Sequence, residues 1–273
     1  MNIKQLILGT RIGDIAMFSR EKIDILRTAL TQPEAVGTLA NDQLAGVLVA
    51  SICQTDKTFL DVGAHIGSVI SAVRKRDPAV EIIAVEAMPD KAARLREKFP
   101  HVILHACAVG ENEGEATFFI DTQQTGYSSL IAPDDNTSHV HEIRVAIKRL
   151  DTLIPEDAFV DVMKIDIEGA ELGALRGATN MLSRCRPVVM FESAPTRSSS
   201  SYEPRDIYQF FDQRGYEIVV PNRLAHDGSG LSEEGFIESH LYPRRSTNYF
   251  AVPRDRRIEI RDRARLVLGI HVA

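Results

Sequence analysis

From Thr58 onward, short apolar runs alternate with stretches of helical spacing, and this alternation restricts the fold more than any other feature of the chain. Thr58–Val62, Glu81–Glu86, Val102–Ala108, Phe159–Ile165, Pro187–Glu192, Tyr216–Val220 and Asn248–Val252 read as strands. Gly67–Lys75, Pro89–Phe99, Ala170–Ser183 and Pro204–Arg214 read as helices between them. Runs such as IIAV and VVMF are apolar without polar alternation, as in strands covered on both faces. Strands of that kind separated by helices predict a doubly wound, mostly parallel α/β sheet with helices on both faces.

Two segments interrupt the rhythm. Gly114–Leu150 carries two further strand-like runs, EATFFI and EIRVAIKRL, around a polar loop, and reads as an insertion on the ligand side. Arg223–Tyr242 reads as a long loop, and loops of such length in a compact domain are usually functional or mobile. Residues 1–56 form a helical extension, with Ile15, Phe18, Ile23, Ile25, Leu26 and Leu30 near helical spacing and a break at Pro33. Its second helix runs from about Leu39 to Cys53, with Asn41 and Asp42 as cap candidates and Leu44, Val47, Leu48 and Ile52 as the apolar face. The expected organisation is an extension over 1–56 that covers a pocket or pairs two copies, a main domain over 57–253, and a C-terminal helix over 254–273. The run Arg254–Arg265 mixes both charge signs and reads as a solvated helix face.

The net charge of −6 argues against nucleic acid as the main partner, since such binders concentrate basic residues. Cys53, Cys107 and Cys185 make an odd, widely spaced set that fits neither a disulfide framework nor a zinc ribbon. No apolar run reaches the ~20 residues needed to span a bilayer, and no signal peptide is visible. A cytoplasmic protein is the expectation.

The chemistry concentrates first in FLDVGAHIG, Phe59–Gly67. A buried strand runs into Asp61, and Gly63 and Gly67 bracket the turn into the next helix. Glycines there let a ligand approach the main chain. In open α/β sheets that turn is where ligands bind. Glu86, 25 positions after Asp61, ends the second strand and suits the two ribose hydroxyls of an adenosine ligand. A dinucleotide site uses G-x-G-x-x-G against a pyrophosphate. Here the spacing is Asp61-x-Gly63-x-x-x-Gly67. An acidic residue before the turn favours a cationic ligand, and S-adenosylmethionine carries an ammonium and a sulfonium.

With DVGAHIG, the stretches VEAMPDKAARL, HACAVGENEGEATFF, YSSL, IKRLDTLI, VDVMKIDIEGAELGALRGA, RPVVMFES and TNYFAVP occur in an order that resembles the FkbM-type methyltransferases. The resemblance covers roughly Thr58–Pro253, and KIDIEGAE, Lys164–Glu171, is its most specific element. It implies a Rossmann-like class I methyltransferase fold with a seven-stranded sheet, S-adenosylmethionine as donor, and hydroxyl acceptors on sugars, glycolipids or natural products. Asp61, Gly63, Ala64, His65, Gly67, Glu86, Ala87, Cys107 and Ala108 are then the candidate cofactor-binding residues. His65 stands where the family commonly has Asn, and Ala87 where it commonly has Pro.

The candidate catalytic residues are Asp166, Glu168 and Glu192. Asp166 and Glu168, at i and i+2 beyond a strand, point the same way in extended chain. Such carboxylates serve as a base, a metal clamp or an anchor for an acceptor hydroxyl. Glu168 and Glu171 also suit the start of a helix, where negative charge is favoured. No metal is expected. His101, His105 and Cys107 share a predicted strand face, but they lack the fourth ligand of a closed zinc site. Tyr127, Ser128, Ser129, Asp134, Asp135, His139 and His141 are loop candidates for ligand contact, and His226 and His240 are candidate acceptor-side bases. Two alternatives remain open: a partner protein that keeps the fold without chemistry, and an NAD-dependent oxidoreductase.

Overall fold

The computed structural model describes residues 22–121, 140–193 and 202–270. Its centre is a seven-stranded sheet of β1 (Thr58–Val62), β2 (Glu81–Val85), β3 (Ile103–His105), β7 (Val160–Ile165), β8 (Val188–Glu192), β9 (Tyr216–Val219) and β10 (Asn248–Pro253), in the order β3-β2-β1-β7-β8-β10-β9. Only β10 runs antiparallel to its neighbours. The chain winds outward from β1 in one direction, then returns to β7 on its other side. The strand order therefore reverses between β1 and β7, and their carboxyl ends open a crevice. This is the Rossmann-like class I methyltransferase arrangement implied by the resemblance.

Every residue of β1 and β7 is buried, so these strands show no alternation of buried and exposed positions, and their charged residues Asp61, Asp161 and Lys164 are paired inside the protein. One face carries α1 (Val36–Val49), α2 (Ser68–Arg76), α3 (Pro89–Lys98) and α9 (Arg257–Leu268). They supply Leu48, Val49, Ile70, Val73, Leu95 and Ile260 to a core built on Phe59, Val162 and Phe250. The other face carries α4 (Leu150–Leu153), α5 (Glu171–Arg176), α6 (Thr179–Cys185), α7 (Pro204–Asp212) and α8 (Glu233–Glu238). Its core includes an aromatic group in which Phe191 packs on Phe211, Phe236 and Tyr249. The inserted segment forms a second sheet, β4-β6-β5, from β4 (Ala108–Val109), β5 (Gly114–Asp121) and β6 (Val140–Lys148).

Several sequence expectations change. The run Val102–Ala108 is not one strand: β3 stops at His105, and Ala108–Val109 pairs with β6 of the second sheet instead. The helix expected over Ala170–Ser183 is two helices, because the Asp151 carboxylate accepts from the amides of Asn180 and Met181 and caps α6 from outside its own segment. Arg223–Tyr242 contains α8, whose N-cap Ser232 accepts from the Gly235 amide.

Pro33 breaks the helical run as expected and opens a 3-10 turn that leads directly into α1. Residues 22–31 are helical, with Ile23, Leu26 and Leu30 exposed. Asn41 and Asp42 are therefore inside α1 and do not cap it. Asp42 accepts from the amides of Thr247 and Asn248 and the hydroxyls of Ser246 and Thr247. Asn41 donates to the Arg245 carbonyl. Val47 faces solvent, and Ala45 and Val49 take its place in the core.

The expected solvated face of the C-terminal helix is also partly buried. Arg256 and Arg263 bind the two oxygens of Asp161 at 2.6 and 2.7 Å, and the Asp161 side chain is 1 % exposed. The Gln54 amide completes this site at 2.8 Å, tying the start of the sheet to the last helix.

Candidate active site

The turn after β1 is held open by its glycines. Gly63 has φ +80, and a Cβ there would sit 2.0 Å from the Asp166 carbonyl oxygen. Gly67 has φ +78, and a Cβ there would sit 2.5 Å from the Phe99 ring. The turn can thus lie directly against the segment after β7. His65, between the glycines, is also left-handed at φ 51.

A cavity of about 260 Å³ lies beyond this turn. Gly63, Ala64, His65, Glu86, Ala87, Met88, Lys91, Cys107, Ala108, Phe118, Asp166 and Glu168 are among its lining residues. Seven of the nine expected cofactor-binding residues therefore line it. Asp61 and Gly67 are not lining residues: Asp61 pairs with Lys164, and Gly67 lies against Phe99 and Leu95. Lys91 and Phe118 are lining residues that the motif reading missed. Lys91 follows Pro89 and Asp90 in a charged helix start that reads as solvated, and Phe118 comes from the inserted sheet, whose position no local pattern reveals.

Beneath the floor, Lys164 joins the elements. Its ammonium donates to the Gly63 carbonyl at 2.7 Å and lies 3.4 Å from Asp61 and 3.6 Å from Asp166. Burial works against the charge on Lys164, but Asp61 and Asp166 outweigh it and hold the pKa above the usual lysine value. Burial raises the Asp61 pKa, with Lys164 opposing the rise. Both Asp61 oxygens lack a hydrogen bond, so the ion pair with Lys164 is their compensation. The sequence reading aimed Asp61 at a cationic ligand; here it faces a cation supplied by the protein.

In the cavity lining, Glu86 accepts from the amides of His65 at 2.7 Å and Met88 at 2.9 Å. A carboxylate has about four acceptor sites, so two stay available to a diol. Burial pushes the Glu86 pKa up. The His65 imidazole is pushed down to about 4 by burial and by Lys91 and Lys164, and its Nε2 is buried without a protein partner. Cys107 stays a thiol, since burial raises its pKa.

Asp166 and Glu168, which line the same cavity, converge with Glu192, with one oxygen of each within 4.8 Å of the others. The i, i+2 argument for Asp166 and Glu168 does not hold, because the strand ends at Ile165 and Glu168 is left-handed at φ 56. The turn itself produces the convergence. Glu171, 1 % exposed, fixes that turn: it accepts from the amides of Ile167 and Gly169, and from the Tyr202 hydroxyl. It starts α5 as expected but is buried rather than solvated. Burial and the neighbouring Asp166 push the Glu192 pKa far up. Burial opposes ionisation of Asp166 too, but Lys164 and a hydrogen bond from Glu192 hold its pKa below the usual range. The pair therefore shares one proton, carried by Glu192.

Asp166, Glu168 and Glu192 are also the one group of three among the described residues that could hold a metal ion. His101 lies in the turn before β3, so the expected His101, His105 and Cys107 face does not form. His240 is buried, with Nε2 2.8 Å from the Ser193 hydroxyl and Nδ1 2.8 Å from the Phe236 carbonyl, so neither nitrogen is free to act as a base. His226 accepts from the Gly228 amide on an exposed loop. His141 is exposed on β6. Tyr127, Ser128, Ser129, Asp134, Asp135 and His139 lie outside the described residues.

A switch-point cavity with a glycine turn, an acidic end to β2 and carboxylates beyond β7 is the site of a class I methyltransferase fold. The family follows from comparison: a model described as the methyltransferase FkbM domain matches residues 61–218, and the chain belongs to that family. A curated relative, Methyltransferase 1 of Beauveria bassiana (strain ARSEF 2860), is 26% identical over 145 residues, covering 45% of this chain and 58% of the relative. The chain therefore spans less than two thirds of that relative's length. A solved FkbM methyltransferase from Methylobacillus flagellatus KT is similar over 72% of this chain and 43% of its own, with 17% identity and a TM-score of 0.43. A TehB-like SAM-dependent methyltransferase from Corynebacterium glutamicum is similar over 76% of this chain and 85% of its own, with 9% identity and a TM-score of 0.40.

Proposed function

We propose that this chain binds S-adenosylmethionine in the cavity between β1, β2 and β7 and methylates a hydroxyl of a sugar, glycolipid or other small natural product. The observation that carries this reading is the convergence of Asp166, Glu168 and Glu192 beside a cavity that Glu86, Asp166 and Glu168 line. The donor fits the residues present. Glu86 has acceptor sites for the ribose hydroxyls, and the Gly63 turn leaves room for main-chain approach. Ala87, Met88, Cys107, Ala108 and Phe118 make an apolar slot suited to adenine. His65 Nε2 is a buried polar atom that a ligand would satisfy.

The donor supplies an electrophilic methyl group on a sulfonium. The protein's part is to hold an acceptor oxygen in line and to take its proton. Asp166 is the ionised member of its pair and accepts the hydroxyl proton as the oxygen–methyl bond forms. Glu192 keeps its own proton, donates it in a hydrogen bond to Asp166 and orients that carboxylate. Glu168 anchors the acceptor at the rim.

Calorimetry tests the donor site directly. S-adenosylmethionine should bind and NAD should not, and Glu86→Ala should weaken binding by about tenfold or more, the loss of hydrogen bonds to a charged acceptor. A folded protein that ignores millimolar donor would overturn the methyltransferase reading. Donor binding would then justify screening hydroxyl acceptors, beginning with sugars, with Asp166→Asn as the test of the base.

A further inference from the structure

One wall of the cavity is held by residues that do not line it. Asp166, Ile167, Glu168 and Ala170 line the cavity from the end of β7. Their segment turns through two left-handed residues, Glu168 at φ 56 and Gly169 at φ 98, and a turn of this kind gathers its amides on an anion. Glu171 supplies that anion from inside the protein. It is 1 % exposed, and its Oε1 accepts from the Ile167 amide at 2.9 Å and the Gly169 amide at 3.2 Å. A carboxylate buried so deeply keeps its charge only if its oxygens are satisfied. Its Oε2 accepts from the Tyr202 hydroxyl at 2.9 Å, across 31 residues of chain. Tyr202 is itself fixed by α7. It precedes Glu203, which forms a reciprocal capping box with Asp206 at the start of that helix. The Tyr202 ring packs on the core that contains Ile207, at the spacing of a hydrophobic staple.

We propose that Tyr202 is a positioning residue for the donor cavity: through Glu171 it holds the segment 166–170 in the shape that receives the amino-acid end of S-adenosylmethionine. The inference rests on the donor-site reading above. β2 and β7 lie on opposite sides of β1. Ribose held at Glu86, just beyond β2, therefore keeps the adenosine part on the β2 side. The amino-acid end is left to the Gly63 turn and the segment after β7. Those two meet directly, since a Cβ on Gly63 would lie 2.0 Å from the Asp166 carbonyl oxygen. Without the Tyr202 hydroxyl, one oxygen of the buried Glu171 loses its donor, and the carboxylate gains by taking a proton or turning toward water. Either change loosens its hold on the amides of Ile167 and Gly169. The disturbance reaches the wall that faces the amino-acid end and spares the adenosine slot.

Calorimetry on the full chain tests this with two probes, S-adenosylmethionine and adenosine, which lacks the amino-acid end. Tyr202→Phe removes one hydroxyl and keeps the ring. It should weaken S-adenosylmethionine by about three- to tenfold, a part of what one hydrogen bond to a charged group is worth. Adenosine affinity should stay within about twofold, the spread expected of sites that do not interact. Glu171→Gln should reproduce the effect, and it carries the same expectation should Tyr202→Phe not fold. In the Glu171→Gln background, Tyr202→Phe should add less than about twofold, because the tyrosine acts through that carboxylate. Unchanged S-adenosylmethionine affinity in Tyr202→Phe would overturn the proposal. Equal weakening of both probes would do the same, since a general loosening of the cavity would then explain the loss. Additive effects in the double variant would show that Tyr202 acts independently of Glu171, and would also overturn it. A folded wild type that fails to bind either probe would bring down the donor-site reading itself, and this inference with it.

Discussion

Replacing Gly63 by alanine adds one methyl group at the point where the donor turn meets the segment after β7. The cost has two parts. A left-handed φ of +80 costs alanine roughly 1–2 kcal/mol. The new Cβ would also lie 2.0 Å from the Asp166 carbonyl oxygen and 3.0 Å from the Ile167 side chain. The first contact is backbone and cannot rotate away, so the turn and the segment must separate by about 1 Å, an overpacking cost of about 1–3 kcal/mol. The sum is about 2–5 kcal/mol, which lowers Tm by roughly 4–15 °C for a chain of this size. The same displacement moves Asp166 and the His65 amide that Glu86 holds, so donor affinity should fall by about tenfold or more. Gly46 is the internal control: it is exposed, lies within α1, and an added Cβ meets nothing within 4 Å. Gly46→Ala should stabilise by about 0.5–1 kcal/mol and leave donor binding unchanged. Thermal unfolding and calorimetry on both variants decide the matter. A Gly63→Ala protein with wild-type Tm and donor affinity would refute the close-approach argument.

Asp161→Ala leaves Arg256 and Arg263 without their buried acceptor and should cost about 3 kcal/mol in urea unfolding, the low end for a broken buried pair because both arginines also reach Glu259. A loss under ~1 kcal/mol would show that this buried site contributes little. Glu192 holds a proton in the folded chain that the unfolded chain releases above its ordinary value of 4.5, so its contribution to stability is present below that pH and is lost as pH rises. Glu192→Gln should therefore raise Tm at pH 8 more than at pH 5 while reducing methyl transfer; equal Tm changes at both pH values would contradict the shared proton.

How much of this was legible beforehand differs by residue. The seven main strands, the glycine turn and Glu86 could be read locally, because strand burial, left-handed turns and a strand-end carboxylate each leave a short sequence signature. The carboxylate group was only half legible. KIDIEGAE named Asp166 and Glu168, but the extended-chain reasoning for their direction was wrong, since Glu168 is left-handed. Glu171 looked like a helix-start residue, and nothing near it in sequence revealed that Tyr202 would cover it.

The remaining decisions were tertiary, and they share one cause. Asp151 caps a helix nearly thirty residues away, Asp42 holds the loop at 246–248, and Asp161 gathers two arginines from the last helix. In each case a polar side chain is satisfied by a group distant in the chain, and a polar residue in sequence looks the same whether its partner is water or protein. The sequence by itself determined the order of strands and helices and the residue types at the turn, because backbone conformation and burial period are local properties. Only the folded chain decided that Glu192 stands beside Asp166, that Asp61 faces Lys164 rather than a ligand, and that Lys91 enters the cavity. Those are distances between separate strands and helices, fixed by how the layers pack and by the cost of burying charge without a partner.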